Sequence, residues 1–321
     1  MFCLVQAFAQ TKVKLIKIDG SSTVFPITEA IAEEFQKRYA DIKVMVGISG
    51  TGGGFKKFCR GETDISDASR PIKSKEVELC KDSGIEYIEL PVAYDGLAVV
   101  VNPNNDWLDY LTVAELRRIW EPASQGVITK WNQVRPSFPN KEIRLFGAGT
   151  DSGTFDYFTE VICGKSGASR GDYTASEDDN ILVEGVANDS YALGYFGLAY
   201  YEANKEKLKI VPIDDEDDTN GTGPIIPNLE TVRNGTYQPL SRPIFIYVSV
   251  KSAQQDEIKK FVEFYLKEAK NLVGEIGYIP LRDEAYQTAL ERFRKDTTGS
   301  VFGGEGAQIG IKMEELLSKD R

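Results

Sequence analysis

The sequence predicts an α/β fold, on three observations. Apolar strand-like segments alternate with amphipathic helix-like ones along the chain. Two long β-rich segments, residues 87–102 and 243–250, lie far apart and read as crossings between two domains. Three loops rich in glycine and hydroxyl side chains each follow a strand and open a helix.

Taken in order, a strand near 13–18 leads into Gly20-Ser21-Ser22-Thr23. A helix then runs from about 23 to 39, where Ile27, Ile31, Phe35 and Tyr39 recur every four residues and make one apolar face. A strand near 43–48 ends at Ser49-Gly50-Thr51-Gly52-Gly53-Gly54, and a short helix carries Phe55, Phe58 and Cys59. Residues 64–66 read as a short strand, and Ser74 as the cap of a helix that Gly84 stops near Asp82. "YIELPVAYDGLAVVVN" (87–102) is the first crossing segment. Thr112 with Glu115 three residues on forms a capping-box pattern. Residues 143–162 repeat the opening theme: a strand, then Gly149-Thr150-Asp151-Ser152-Gly153-Thr154, then a helix. Asp214 to Asp218 is an acidic loop, "PIFIYVSV" (243–250) is the return crossing, and a helix follows over about 254–268. The expected organisation is a terminal segment (1–10), a first α/β domain in two pieces (11–95 and 246–321), and a second α/β domain inserted between them (96–245).

The chain has 321 residues, and 41% of them are hydrophobic, enough for two cores. No run of 18 apolar residues suggests a membrane span. The net charge of −11 argues against a nucleic-acid partner, because phosphate backbones need clustered Lys and Arg. It also means that an anionic ligand has to be attracted by a local site. Histidine is absent. That removes Ser-His-Asp and Cys-His catalysis and histidine zinc sites in one step. With no paired Asp/Glu cluster at metal spacing either, a phosphate-ester hydrolase is disfavoured and no metal or cofactor is expected.

The cysteines are Cys3, Cys59, Cys80 and Cys163. No CxxC pair exists, so a thiolate zinc site is not expected. Cys59 and Cys80 sit on neighbouring predicted helices, either as a disulfide in an oxidising compartment or as two buried thiols. "MFCLVQAFAQ" ends its apolar run in Ala7-Phe8-Ala9, an A-x-A-like pattern. It reads as the tail of an export signal or as a disordered terminus. Cys3 lacks a convincing lipobox, so a form without a lipid anchor is expected.

The three loops share one chemistry. The first turn of a helix carries unpaired N–H groups and partial positive charge. Glycine permits close approach, and Ser and Thr hydroxyls add donors without net charge. Together these make an anion site. One such loop is an ordinary N-cap; three, each richer than a cap requires, point to a shared anion. None matches the phosphate loop of nucleotide-binding proteins or the dinucleotide glycine pattern, so a compact tetrahedral oxyanion fits better than a nucleotide. Arg70, after Ser69 and before Pro71, is the candidate cation, since a guanidinium grips an oxyanion through two points. Its alternative role is a surface pair with Asp64 or Asp67.

"DGSSTVFP", "SGTGGGFKKFCRGETDISDASRPI", "AYDGLAVVVN", "DSGTFDYF", "SRPIFIYV" and "GYIPL" together resemble the periplasmic phosphate-binding proteins of ABC transporters, over about residues 13 to 315. The resemblance implies a type II periplasmic-binding-protein fold, with phosphate held in a cleft between two domains. It further implies an exported, monomeric, non-enzymatic protein that delivers its ligand to a membrane permease. Another oxyanion (sulfate or molybdate) or a sensing role stays open. By this resemblance Thr23 and the Val24 amide bind phosphate, with Ser22 beside them. The second loop's serine falls on Ser49 or Thr51, and the third loop's motif is intact as Ser152, Gly153 and Thr154. The chain departs from the family at two places. A carboxylate of the best-known members is replaced within Ala68-Ser69-Arg70-Pro71, and an arginine before the third motif is replaced by Ala148 or Gly149. Arg70 is expected to stand in for that arginine. Hydrogen phosphate offers a proton that sulfate lacks, so a buried acceptor can discriminate between them. Asp151 is the first candidate acceptor and Asp95 the second.

Overall fold

The computed structural model describes residues 14–150, 152–176 and 178–303. The terminal segment 1–10, Cys3 and Asp151 lie outside the described residues. The strands are β1 (Lys14–Gly20), β2 (Ile42–Ile48), β3 (Ile65–Ala68), β4 (Tyr87–Val101), β5 (Leu111–Thr112), β6 (Arg144–Ala148), β7 (Thr174–Ser176), β8 (Ala192–Gly197), β9 (Lys209–Ile210), β10 (Ile213–Asp214) and β11 (Ser241–Ser249). The helices are α1 (Phe25–Arg38), α2 (Gly50–Phe58), α3 (Ser74–Asp82), α4 (Val113–Trp120), α5 (Trp131–Val134), α6 (Gly153–Cys163), α7 (Asp179–Ala187), α8 (Leu198–Ala203), α9 (Leu229–Arg233), α10 (Val250–Ala253), α11 (Asp256–Glu275) and α12 (Asp283–Arg294).

The main strands follow the order β2-β1-β3-β11-β4-β8-β6-β7. On one side β2, β1 and β3 are parallel, so Gly20 stands opposite both Ile48 and Asp67 at their carboxyl ends. On the other side β6 is parallel to β7 and β8. Two lobes result, each with loops emerging beyond the carboxyl ends of parallel strands, where open α/β sheets bind ligands. Between them runs a ribbon of two long antiparallel strands. β4 pairs with β11 through Gly96 and then with β8 from Leu97 onward. All 15 residues of β4 are buried, which explains its mostly apolar sequence, interrupted by Glu89 and Asp95.

Helix packing follows the apolar stripes. Ile27, Ile31 and Phe35 of α1 are fully buried, and Phe35 meets Phe261 of α11 edge to face at 5.2 Å. α11 is longer at its C-terminal end than its amphipathic pattern indicates, reaching Glu275. The Thr112 capping box is present: its hydroxyl accepts from the Glu115 amide at 3.1 Å, and Glu115 accepts from the Thr112 amide at 3.0 Å. The cap of α3 differs from expectation. Lys73 occupies the cap position with extended backbone, and Ser74 is already helical, because the Glu76 carboxylate reaches back to the Lys73 amide. Cys59 and Cys80 are joined by a disulfide that ties the end of α2 to α3.

Two glycines fix how the first two loops meet. Gly20 has φ +152°, and a Cβ there would lie 2.1 Å from the Asp67 carbonyl oxygen. A Cβ on Gly54 would lie 2.6 Å from the Gly20 Cα. Both positions serve backbone-to-backbone approach between elements, a use of glycine distinct from the ligand approach inferred from the loops.

Candidate functional site

The first loop turns from β1 into α1. The Ser21 amide donates to the Asp67 carbonyl at 3.0 Å, which anchors the loop to β3. The Ser21 hydroxyl accepts from the Thr23 amide at 3.2 Å, and Ser22 is half-buried beside it. Val24 buries its side chain in the core, so it can offer a ligand only its backbone. The Thr23 hydroxyl accepts from Arg242 Nη2 at 3.3 Å, and the Thr23 carbonyl accepts from the Tyr278 hydroxyl at 2.7 Å.

The second loop divides its hydroxyls between two jobs. Ser49, which is exposed, donates a short hydrogen bond to Asp19, and Asp19 also accepts from Lys57 Nζ at 2.6 Å. Thr51, in the first turn of α2, meets Ser69 hydroxyl to hydroxyl at 3.0 Å and accepts from the Ser69 amide at 3.1 Å. Thr51 and Ser69 are therefore a unit at the carboxyl ends of β2 and β3. Arg70 follows, with its fork engaged. Both terminal nitrogens donate to the two Glu76 oxygens at 2.8 Å, and one also donates to the Pro71 carbonyl. Its partner is thus Glu76, neither Asp64 nor Asp67.

In the third loop the Ser152 hydroxyl accepts from the Thr154 amide at 3.1 Å, an N-cap at the start of α6. Thr154 lines a cleft of about 70 Å³ together with Asp95, Asp179, Tyr200 and Tyr278. The first and third loops thus converge on one place through Thr23, Tyr278 and Thr154.

The strand ribbon supplies the charge there. Arg242 of β11 and Asp95 of β4 are cross-strand partners. Arg242 donates from Nε and Nη2 to one Asp95 oxygen, each at 3.3 Å. Both side chains are at least nine-tenths buried. The guanidinium lies 3.6 Å from the centre of the Tyr157 ring. Burial pushes the Asp95 carboxyl above its ordinary range, and Arg242 opposes that rise. Burial also raises the Tyr157 and Tyr278 hydroxyls, so both stay protonated donors. The result is a set built on one buried ion pair, with both tyrosine protons given to the Pro239 and Thr23 carbonyls and the Asp179 carboxylate on the cleft wall. Such a set suits a small anion, because Arg242 offers N–H donors while Asp95 offers an acceptor for an anion that carries a proton.

Arg242, Tyr157 and Tyr278 escaped the sequence reading. The available signal was a lone arginine inside the otherwise apolar run "SRPIFIYV", where a charge needs a partner. Among the described residues no group of three or more metal-ligating side chains is clustered, and no helix is long and apolar enough to cross a membrane.

Residues 6–269 match the PBP superfamily domain. The protein SphX of Synechocystis sp. is 53% identical over 305 residues, covering 95% of this chain and 89% of its own. The phosphate-binding protein PstS of Staphylococcus saprophyticus is 39% identical over 274 residues, covering 84% and 82%. The crystal structure of a possible phosphate binding protein from Planctomyces limnophilus is 48% identical and superposes with a TM-score of 0.81, over 88% of this chain and 98% of that one. The α/β fold is that of the type II periplasmic binding proteins. The chain belongs to the PstS-like family of phosphate-binding proteins.

Proposed function

We propose that the protein captures inorganic phosphate in the cleft between its lobes and delivers it to the permease of an ABC transporter. The observation that supports this reading is that Asp95 and Thr154 line one cleft, and that Asp95 is hydrogen-bonded there to Arg242, which also reaches Thr23. In the bound state, Thr23, the Val24 amide, Thr51, Ser69 and the Ser152-Gly153-Thr154 turn donate to the phosphate oxygens, with Ser22 at the margin. Arg242 supplies the cation in direct contact, and Arg70, already paired, frames the site with Ser49. Asp95 accepts the phosphate proton. Asp151, the other acceptor considered, lies outside the described residues. The two lobes correspond in this proposal to residues 11–95 with 246–321, and to residues 96–245.

Two neighbouring features support an exported protein. The Cys59–Cys80 disulfide fits an oxidising compartment, and SphX and PstS are relatives across most of the chain. Calorimetric titration of the ligand-stripped protein tests the reading. Phosphate is expected to bind with micromolar or tighter affinity, which needs about 8 kcal/mol, and sulfate at least about 100-fold more weakly. Equal binding of sulfate would turn the assignment to a general oxyanion carrier. Binding of neither would overturn it.

A further inference from the structure

Arg242 is held by two hydrogen-bond partners, Asp95 and Thr23, and by one ring face. Asp95 accepts from Nε and Nη2 through one oxygen at 3.3 Å, a long and single-point contact for a guanidinium. The Thr23 hydroxyl accepts from the same Nη2 at 3.3 Å, so the bonds gather on the Nε–Nη2 edge and leave the plane free to tilt about it. The Tyr157 ring removes the tilt, with its centre 3.6 Å from the guanidinium carbon, close enough for face-to-face stacking. A ring face consumes no N–H donor, so Nη1 stays available for an anion. The ring is itself held at its far end, where its hydroxyl donates to the Pro239 carbonyl at 2.6 Å. Tyr157 is also buried, and it lies one turn beyond Thr154 on α6, the helix that opens at the third loop.

We propose that Tyr157 is the positioning residue of the anion site: its ring fixes the plane of the Arg242 guanidinium and links that plane to the third loop through α6. The proposal rests on the reading of Arg242 as a phosphate contact. It assigns the ring, rather than the hydroxyl, as the working part.

The test combines phosphate calorimetry on Tyr157→Phe, Tyr157→Leu, Arg242→Gln and the Tyr157→Leu/Arg242→Gln double variant with an NMR measurement of the Arg242 Nε–H. Tyr157→Phe is expected to bind within about twofold of the parent, and Tyr157→Leu about 10-fold more weakly. In the Arg242→Gln background the same Leu substitution is expected to change nothing, because the ring then has no guanidinium to hold. A purely structural role would persist in that background. In the unsubstituted protein the Arg242 Nε–H should be shifted upfield by the ring, which tests the proposal even if Tyr157→Leu fails to fold. Three results overturn it: an unshifted Nε–H, a Phe variant as weak as the Leu variant, or a Leu penalty that survives without Arg242. If Arg242→Gln itself leaves phosphate affinity unchanged, the failure belongs to the assignment of Arg242. If Arg242→Gln weakens binding and Tyr157→Leu does not, only the role of Tyr157 fails.

Discussion

Two arginines, Arg70 and Arg242, are each paired with a carboxylate, and their surroundings give them different work. Arg70 is clasped at two points by Glu76, on a side of the protein where a disulfide ties α2 to α3. Arg242 meets Asp95 at one oxygen, rests on Tyr157 and touches Thr23 of the first loop. A fork already filled by a carboxylate has little left to give a ligand, and its value is structural. A fork whose bonds gather on Nε and Nη2, with a ring face behind it, keeps Nη1 for a guest. The Arg70–Glu76 pair is therefore read as scaffold and the Arg242–Asp95 pair as site.

This contrast is sharpest if stability and affinity respond to different substitutions. The largest effect is expected at Asp67 on β3. It is fully buried, and neither oxygen has a well-formed hydrogen bond, though the nearby Thr28 hydroxyl favours the ionised form. Burial, with the Asp19 charge adding, pushes its carboxyl up to about 8. The unfolded chain ionises near the usual 3.8 while the folded one keeps its proton. The stabilising contribution is therefore complete below pH about 4 and is lost as pH rises toward 8, by up to about 1.4 kcal/mol per unit. Asp67→Asn should flatten the urea-measured stability profile between pH 4 and 8; an unchanged slope would remove Asp67 from the account. Next, replacing Cys59 and Cys80 by Ser should cost about 3 kcal/mol of stability while leaving phosphate affinity within about threefold. A large loss of affinity there would blur scaffold into site.

On the ribbon side, Arg242→Gln should weaken phosphate binding by about 2–3 kcal/mol, the scale of a charge-assisted contact, as read by calorimetry. Asp95→Asn should narrow the phosphate-over-sulfate ratio by about tenfold, near 1.4 kcal/mol; a ratio that holds would send the proton acceptor elsewhere. The smallest effect is expected for the neutral pair Arg70→Gln with Glu76→Gln, which should shift affinity by less than about 0.5 kcal/mol. A loss comparable to that of Arg242→Gln would erase the distinction between the two arginines.

Local patterns carried much of the architecture. The four-residue steps of α1, the capping box at Thr112 and the strand-loop-helix theme at residues 143–162 depend on neighbours in sequence, and all are present. What stayed hidden depends on strand register. Arg242 acquires its role only because β11 pairs it with Asp95, far away along the chain. Read alone, it is one charge in a core strand, whereas Arg70 sits beside a loop and attracts notice. The glycines misled in a milder way. Gly20 and Gly54 looked like room for a ligand, yet each makes room for a neighbouring element of the chain. Ser49 likewise spends its hydroxyl on Asp19.

The ribbon of β4 and β11 has a mechanical consequence. Rotation of one lobe against the other about that ribbon displaces each atom in proportion to its distance from the axis. Asp95 and Arg242, on the strands themselves, would barely travel. Lys73, at the cap of α3, and Glu160, on α6, face each other at 3.6 Å and would move apart or together. The protein would thus grip its guest at the fulcrum and signal that grip at the rim, where an outside partner can feel it.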